Sequence, residues 1–116
     1  PIPSVIYTTP EVASAGYTLS AATEKGVNAD EVQLSLMYSG RYIAEITDYT
    51  GILKLVYDKD NNVLIGASVV GNYASEYIVA VSNLIDMKVD IDRAKKLVFP
   101  HPTVCEVVRE GLFEIK

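Results

Sequence analysis

Residues 51–71 contain the pattern that most restricts the fold of this chain. Ile52–Asp58 and Val63–Val70 are rich in apolar and β-branched residues, and we interpret both as strands of period two. The residues between them, 59–62, are Lys-Asp-Asn-Asn, and such polar residues favour a turn. The segment therefore predicts an antiparallel hairpin. Gly66 inside the second strand indicates a bulge or a close approach of another backbone segment.

The part of the chain before this hairpin predicts further strands and one short helix. The predicted elements are a strand over 4–8, a turn over 9–11, a helix over 18–25, a strand over 30–38 and a further strand over 41–46. Thr18 or Ser20 is the predicted N-cap of the helix, and Gly26 is its predicted stop.

The part after the hairpin predicts helices. A long helix is expected over 73–87 and a last one over 103–114. Between them we expect a short helix that is capped by Asp90 or Asp92 and reaches about residue 97. Strands first and helices afterwards are typical of an α+β domain. We therefore expect one domain over residues 1–116, with an antiparallel sheet and helices packed on it.

The composition excludes several classes of partner. The formal net charge is −5, which argues against nucleic acid or an anionic membrane surface, since both attract basic proteins. The sequence has no apolar run long enough to span a bilayer. Its first residues lack the basic end and the small-residue cleavage site that are expected of a signal peptide. One cysteine cannot form an internal disulfide, which favours a reducing compartment, most simply the cytoplasm. Because the chain begins without methionine, we expect it to be a fragment of a longer protein.

The only histidine, His101, lies between Pro100 and Pro102. Both prolines restrict the backbone that carries the imidazole, and a stiff mount suits a proton-transfer group. The alternative is a surface histidine in a proline-rich turn. Thr103 and Glu106 fit a capping box at the start of the last helix, so Glu106 is either a cap or a carboxylate that orients the imidazole.

Other candidate sites are weaker. Cys105, close to a helix start, is either a nucleophile or, more simply, a small buried residue. Asp58, Asp60 and Asn62 resemble half of a calcium loop, but the glycine and the terminal glutamate that such a loop requires are missing. No metal site is expected. The sequence contains neither a G-x-G-x-x-G fingerprint nor a P-loop.

Several segments, in order and at matching spacings, carry a resemblance to a known family. They are IYTTPEVASAGYT at 6–18, GILKL at 51–55, LIGA at 64–67, VGNYASEYI at 70–78 and HPTVCE at 101–106. Together they resemble the C-terminal dimerisation domain of the pyridine nucleotide–disulfide oxidoreductases, and within that family the dihydrolipoamide dehydrogenase branch.

The resemblance implies a role for the histidine and the glutamate. His101 would act as acid–base at the redox disulfide of the partner subunit, Glu106 would orient and charge it, and Pro102 would lie near the partner's flavin. FAD and NAD would be bound mainly by other domains of the parent enzyme. The partners implied are a second copy of the chain, contacted through the last helix, the 73–87 helix and part of the sheet, and the lipoyl groups of a 2-oxo acid dehydrogenase complex.

Two departures and two alternatives accompany this resemblance. Phe99 stands where the branch often has an earlier histidine, and Cys105 replaces a small serine or alanine. One alternative is the same domain from a glutathione or mercuric reductase branch. The other is a non-enzymatic module that dimerises or binds a ligand. In every case the fragment alone is expected to be inactive.

Overall fold

The computed structural model describes residues 3–7, 11–35, 51–71, 74–96 and 106–115. Its strands are β1 (Ser4–Ile6), β2 (Val12–Gly16), β3 (Ala29–Ser35), β4 (Ile52–Asp58) and β5 (Val63–Val70). Its helices, numbered here over the described residues, are α1 (Leu19–Glu24), α2 (Ala74–Asp86), α3 (Ile91–Ala94) and α4 (Glu106–Glu114). The strands form one sheet in the order β1-β2-β5-β4-β3, and each neighbouring pair is antiparallel. The predicted α+β class is confirmed.

The core lies between one face of the sheet and two helices. Helix α2 packs against β5 and β2, and α4 packs against β3 and β4. Beneath the helices, two rows of cross-strand partners form the buried face: Ala13, Val69, Leu53 and Leu34 in one row, and Ala15, Ala67, Leu55 and Val32 in the next. Burial of such apolar side chains is the main favourable term in folding.

The hairpin of β4 and β5 has the predicted bounds and contains a bulge. Val56 pairs with Gly66, whereas Tyr57 pairs with Leu64, so Ile65 is the extra residue. Leu64 and Ala67 both belong to the core, although residues three positions apart in a regular strand face opposite sides. The bulge therefore keeps both side chains on the buried face.

Gly66 also lies where two backbone segments meet. A Cβ at Gly66 would overlap the carbonyl oxygen of Tyr17, and the Tyr17 N–H donates to the carbonyl of Ile65 at 2.9 Å. Gly16, the residue before Tyr17, has a φ of +70°, a conformation that glycine adopts without steric cost. Both alternatives predicted for Gly66, a bulge and a close backbone approach, are thus found.

Helix α1 covers part of the opposite face of the sheet. Its Ala22 and the β4 residue Val56 are both buried but lie outside the main core. The predicted cap is confirmed, since Thr18 Oγ1 accepts a hydrogen bond from the Ala21 N–H at 3.1 Å. Gly26 follows the helix with a φ of +82°, as expected for a glycine stop.

Strand β2 is the element that the sequence did not predict. Apart from Val12, its residues Ala-Ser-Ala-Gly have low strand propensity, and the strand forms because β1 and β5 pair with its two edges. The small side chains of Ala13 and Ala15 lie in the core that α2 covers.

The other boundaries differ in detail. Strand β1 ends at Ile6 and α3 ends at Ala94, before the predicted ends. The end predicted for β3, residue 38, lies outside the described residues. Asp90 rather than Asp92 caps α3, since its Oδ1 accepts the Asp92 N–H at 2.9 Å. The strand predicted over 41–46 lies outside the described residues.

The turn between β4 and β5 is organised by the carboxylate of Asp58. Its Oδ1 accepts the backbone N–H groups of Asp60 at 2.9 Å and Asn61 at 3.2 Å, and its Oδ2 accepts the Asn61 side-chain amide at 2.7 Å. The hydrogen bond from the Asn61 side-chain amide, together with the two hydrogen bonds from backbone N–H groups, lowers the pKa of Asp58 despite its burial. The carboxylate is therefore explained by the turn, as the sequence predicted.

Replacement of Asp58 tests this organisation. Asp58→Ala removes the acceptor for these donors, and we expect the free energy of unfolding to fall by about 1–3 kcal/mol. Asp58→Asn is the matched control, because its amide oxygen can still accept the backbone bonds. Urea unfolding of the 116-residue chain measures both changes.

The wild type and Asp58→Asn should also differ in how their stability depends on pH. Because the pKa of Asp58 is lower in the folded state, its stabilising contribution is fully present above the unfolded-state pKa and is lost as the pH falls through the folded-state value. The stability difference between the wild type and Asp58→Asn should therefore be constant near neutral pH and shrink in acid. A difference that does not change with pH would contradict this account.

Candidate functional site

Helix α4 is the described part of the predicted site. Its described range, Glu106–Glu114, starts with one of the two predicted catalytic residues. His101 and Pro102 lie outside the described residues, as do Phe99, Thr103 and Cys105, and only the backbone of Glu106 is described. The pairing of His101 with Glu106 thus remains a prediction, and the structure shows how the helix that carries the glutamate is held.

The middle of α4 lies against β4. Val108 and Leu112 have no exposed surface and belong to the main core. A Cβ at Gly111 would lie 2.9 Å from Leu55 Cδ1 and 3.2 Å from Leu53 Cδ2, closer than an ordinary van der Waals contact. The glycine therefore permits a close approach of the helix to the sheet.

The end of α4 is held by a lysine from another part of the chain. Lys95, just after α3, donates from Nζ to the carbonyl oxygen of Ile115 at 2.7 Å. Carbonyls at a helix C-terminus lack partners within the helix and carry partial negative charge, which a cation stabilises. Ile115 itself is buried, so both its side chain and its carbonyl fix the end of the helix.

The first of the resembling segments, at 6–18, contains the last residue of β1 and all of β2, and its Glu11 joins the sheet to α2. Glu11 Oε1 accepts hydrogen bonds from the Ser75 N–H at 3.1 Å and the Ser75 Oγ–H at 2.8 Å. The Gly71 N–H donates to the Glu11 carbonyl at 2.9 Å. Ser75 lies in the first turn of α2, where unpaired N–H groups and the helix dipole favour a carboxylate. Glu11 therefore holds the start of α2 against β2.

An open cleft of about 830 Å³ lies between the hairpin turn and the end of α2. Its apolar lining includes Leu64, Ile65 and Ile85, and its charged lining residues are Asp58, Asp86 and Lys88. None of the described residues that line it is a histidine or a cysteine. The position of the predicted acid–base pair relative to this cleft lies outside the described residues.

Two further findings concern the described part of the chain alone. It brings no three histidine, cysteine, aspartate or glutamate residues together in a way that could hold a metal ion. Among its helices, none combines the length and the apolar character needed to cross a membrane.

Residues 2–112 match the family model described as "Pyridine nucleotide-disulphide oxidoreductase, dimerisation domain". The chain belongs to this family. The match extends from β1 into α4 and so includes every described element except the last two residues of α4. The family predicted from the resembling segments is thereby confirmed.

Curated relatives give a finer comparison. The dihydrolipoyl dehydrogenase of Geobacillus stearothermophilus is 32% identical over 110 residues, which are 95% of this chain and 23% of that protein. The dihydrolipoyl dehydrogenase of Buchnera aphidicola is 36% identical over 107 residues, which are 92% of this chain and 22% of that protein. The chain thus spans less than a quarter of the length of these relatives.

A solved structure confirms the fold. The flavoprotein disulfide reductase RclA from Escherichia coli, induced by HOCl, superposes with a TM-score of 0.91 over 99% of this chain and 26% of that protein, at 24% identity. At this identity the similarity concerns the fold of the dimerisation domain.

Sequence reasoning missed the residues that hold the helices in place. Glu11 was assigned only to a turn, and its bond partner Ser75 lies 64 positions away. Lys95 and Ile115 are 20 positions apart. No local pattern indicates such pairs, because they depend on how the elements pack in three dimensions.

The bond between Glu11 and α2 gives a testable prediction. Glu11→Ala should lower the free energy of unfolding by about 1–2 kcal/mol, since it leaves two donors at a helix start without their acceptor. Glu11→Gln should cost less, because an amide oxygen can accept both bonds. Glu24→Ala, at the exposed last residue of α1, is the control and should change stability by less than about 0.5 kcal/mol. Equal effects of Glu11→Ala and Glu24→Ala in urea unfolding would contradict the assignment.

Proposed function

We propose that this chain is the dimerisation domain of a longer, FAD- and NAD-dependent dihydrolipoamide dehydrogenase. The observation that carries the proposal is the family match over residues 2–112 together with curated relatives, both named dihydrolipoyl dehydrogenase, at 32% and 36% identity. Because the chain spans only 22–23% of these relatives, the remaining domains of the parent would supply most of the enzyme.

In the proposed reaction His101 moves protons at the redox disulfide of the partner subunit. A dithiol attacks a disulfide as a thiolate, so a base must first take its proton. A neutral imidazole can accept that proton near neutral pH. Sulfur–sulfur exchange then oxidises the dihydrolipoamide to its disulfide and leaves the protein disulfide reduced to a dithiol.

Glu106 is proposed to act on the imidazole rather than on the substrate. A carboxylate beside His101 would fix its tautomer and stabilise the imidazolium that forms when the proton is taken up. The helical backbone of Glu106 supports this proposal, since the residue belongs to a helix that packs on the sheet. The same position is compatible with capping of the helix.

The described residues do not fit a dinucleotide site. Nucleotide-binding folds use a parallel βαβ unit with a glycine-rich turn, whereas the described strands pair antiparallel and the sequence lacks that fingerprint. In the proposed parent, FAD and NAD would be held by other domains and would accept the electrons from the reduced disulfide. Pro102 is the one position of this chain proposed to lie near the partner's flavin, and the isolated chain should be inactive.

The proposed partners follow from the same assignment. A second copy would bind through α4, α2 and part of the sheet, and the exposed apolar residues Val79 on α2 and Phe113 on α4 support such contacts. Lipoyl groups of a 2-oxo acid dehydrogenase complex would deliver the substrate. The single cysteine favours the reducing cytoplasm as the place of action.

One sequence feature favours a second candidate. Phe99 occupies the position at which the dihydrolipoamide dehydrogenase branch often has a histidine, so another disulfide reductase branch, of the glutathione or mercuric type, is the alternative. The intact enzyme distinguishes the branches by its turnover with dihydrolipoamide, glutathione disulfide and mercuric ion.

Replacement of His101 in the intact flavoenzyme tests the proposed role. His101→Gln should reduce dihydrolipoamide-dependent NADH formation by about 10²–10⁴-fold, the usual contribution of a general acid–base group. Glu106→Gln should have a smaller effect and should move the acidic limb of the pH profile to lower pH, because the imidazole loses the carboxylate that raises its pKa. Flavin content and dimer size serve as controls for folding. Near-normal turnover of His101→Gln would contradict the proposal.

A further inference from the structure

The position of α4 is fixed by contacts of three different kinds: buried side chains, the close approach at Gly111 and the hydrogen bond from Lys95. Val108 and Leu112 are fully buried in the core and so fix the rotation of the helix about its axis. Gly111 sets its distance from the sheet, because a Cβ there would press on Leu55 and Leu53. Each kind of contact restricts a different movement of the helix.

Gly111 lies so close to the sheet that a Cβ there would have to displace its neighbours. Leu53 and Leu55 are 1% and 0% exposed, and close-packed interiors leave buried methyl groups little room to move. An alanine at position 111 would therefore push against Leu55 Cδ1, 2.9 Å away, and Leu53 Cδ2, 3.2 Å away. Glycine is an unfavourable residue within a helix, so its presence at this contact is explained by the close approach.

Lys95 restricts the remaining movement, a slide along the helix axis. Its ammonium donates to the Ile115 carbonyl at 2.7 Å, at the negative end of the helix dipole. Because Lys95 follows α3 directly, this bond ties the end of α4 to a separate element.

These contacts also bear on Glu106, the first described residue of α4. Glu106 and Gly111 are five residues apart, which in an α-helix is about 7.5 Å along the axis. A short helix moves as a rigid unit, so a tilt at Gly111 or a slide at Lys95 displaces the backbone of Glu106. We propose that Gly111 and Lys95 are positioning residues for Glu106, and this inference rests on the proposed acid–base function.

The competing explanation is that Gly111 and Lys95 stabilise the domain and have no particular connection with Glu106. The two explanations differ in one measurable respect. If the two residues act through Glu106, their replacement should have no further effect on turnover once Glu106 has lost its carboxylate. If they only stabilise the fold, the effect should persist in that background.

The test uses the intact flavoenzyme that contains this chain. Gly111→Ala and Lys95→Met should each lower kcat for dihydrolipoamide oxidation by roughly 3- to 100-fold with little change in KM, since a displacement of about 1 Å in a catalytic group can cost up to 100-fold. Both variants should also move the acidic limb of the pH profile to lower pH, as Glu106→Gln does. In the Glu106→Gln background, neither substitution should lower kcat further.

The chain offers matched controls for each variant. Lys96→Met changes the exposed neighbouring lysine and should leave kcat unchanged, whereas Lys95→Arg keeps a cationic donor and should retain most of the activity. Gly111→Ala combined with Leu55→Val removes a δ methyl group that the new Cβ meets and should recover activity. If Gly111→Ala fails to fold, the Lys95 series tests the inference independently.

Three results would overturn the inference. Wild-type kcat and pH profile in both Gly111→Ala and Lys95→Met would show that α4 does not position Glu106 through these contacts. An equal loss of kcat with and without the Glu106 carboxylate would assign the residues to stability alone. Full turnover of His101→Gln and Glu106→Gln would remove the proposed function and this inference with it, whereas the first two results leave the proposed function intact.

Discussion

The antiparallel pairing of β4 with β5 is the interaction on which the rest of the described structure depends. These two strands are the neighbours through which every other strand joins the sheet, since β2 pairs with β5 and β3 pairs with β4. The helices follow the same division, with α2 against β5 and β2, and α4 against β3 and β4. The bulge at Ile65 keeps Leu64 and Ala67 in one core, so that both helices can pack on a continuous apolar face.

Much of this fold could be predicted from local patterns. Two strand-like apolar runs around a polar turn predicted the bounds of the hairpin. Capping chemistry narrowed the cap of α1 to Thr18 or Ser20 and that of α3 to Asp90 or Asp92, and the structure has Thr18 and Asp90. Strand β2 could not be predicted in this way, because its small residues form a strand only between two partners. Alternation of Ala13 and Ala15 with Ser14 and Gly16 was the one signal present, and it is weak without the sheet around it.

The candidate site, like the fold, could be predicted from the sequence only in part. The H-P-T-x-x-E motif and the resembling segments indicate the family, which the family match confirms. The contacts that hold α4 in place could not be predicted. Lys95 and Ile115 meet only in the folded chain, and the need for glycine at position 111 follows only from its contact with Leu55. The acid–base proposal further requires a second subunit, and the sequence of one subunit does not specify how two copies meet.

The most direct measurement of the central claim is complementation between two inactive subunits of the intact enzyme. One subunit carries His101→Gln, and the other lacks the cysteines of its redox disulfide. If His101 serves the partner's disulfide, a purified mixed dimer has one complete site, and turnover should return to about half of the wild-type value per dimer. If His101 serves the disulfide of its own subunit, neither site is complete, and a mixed dimer as inactive as both parents would contradict the account.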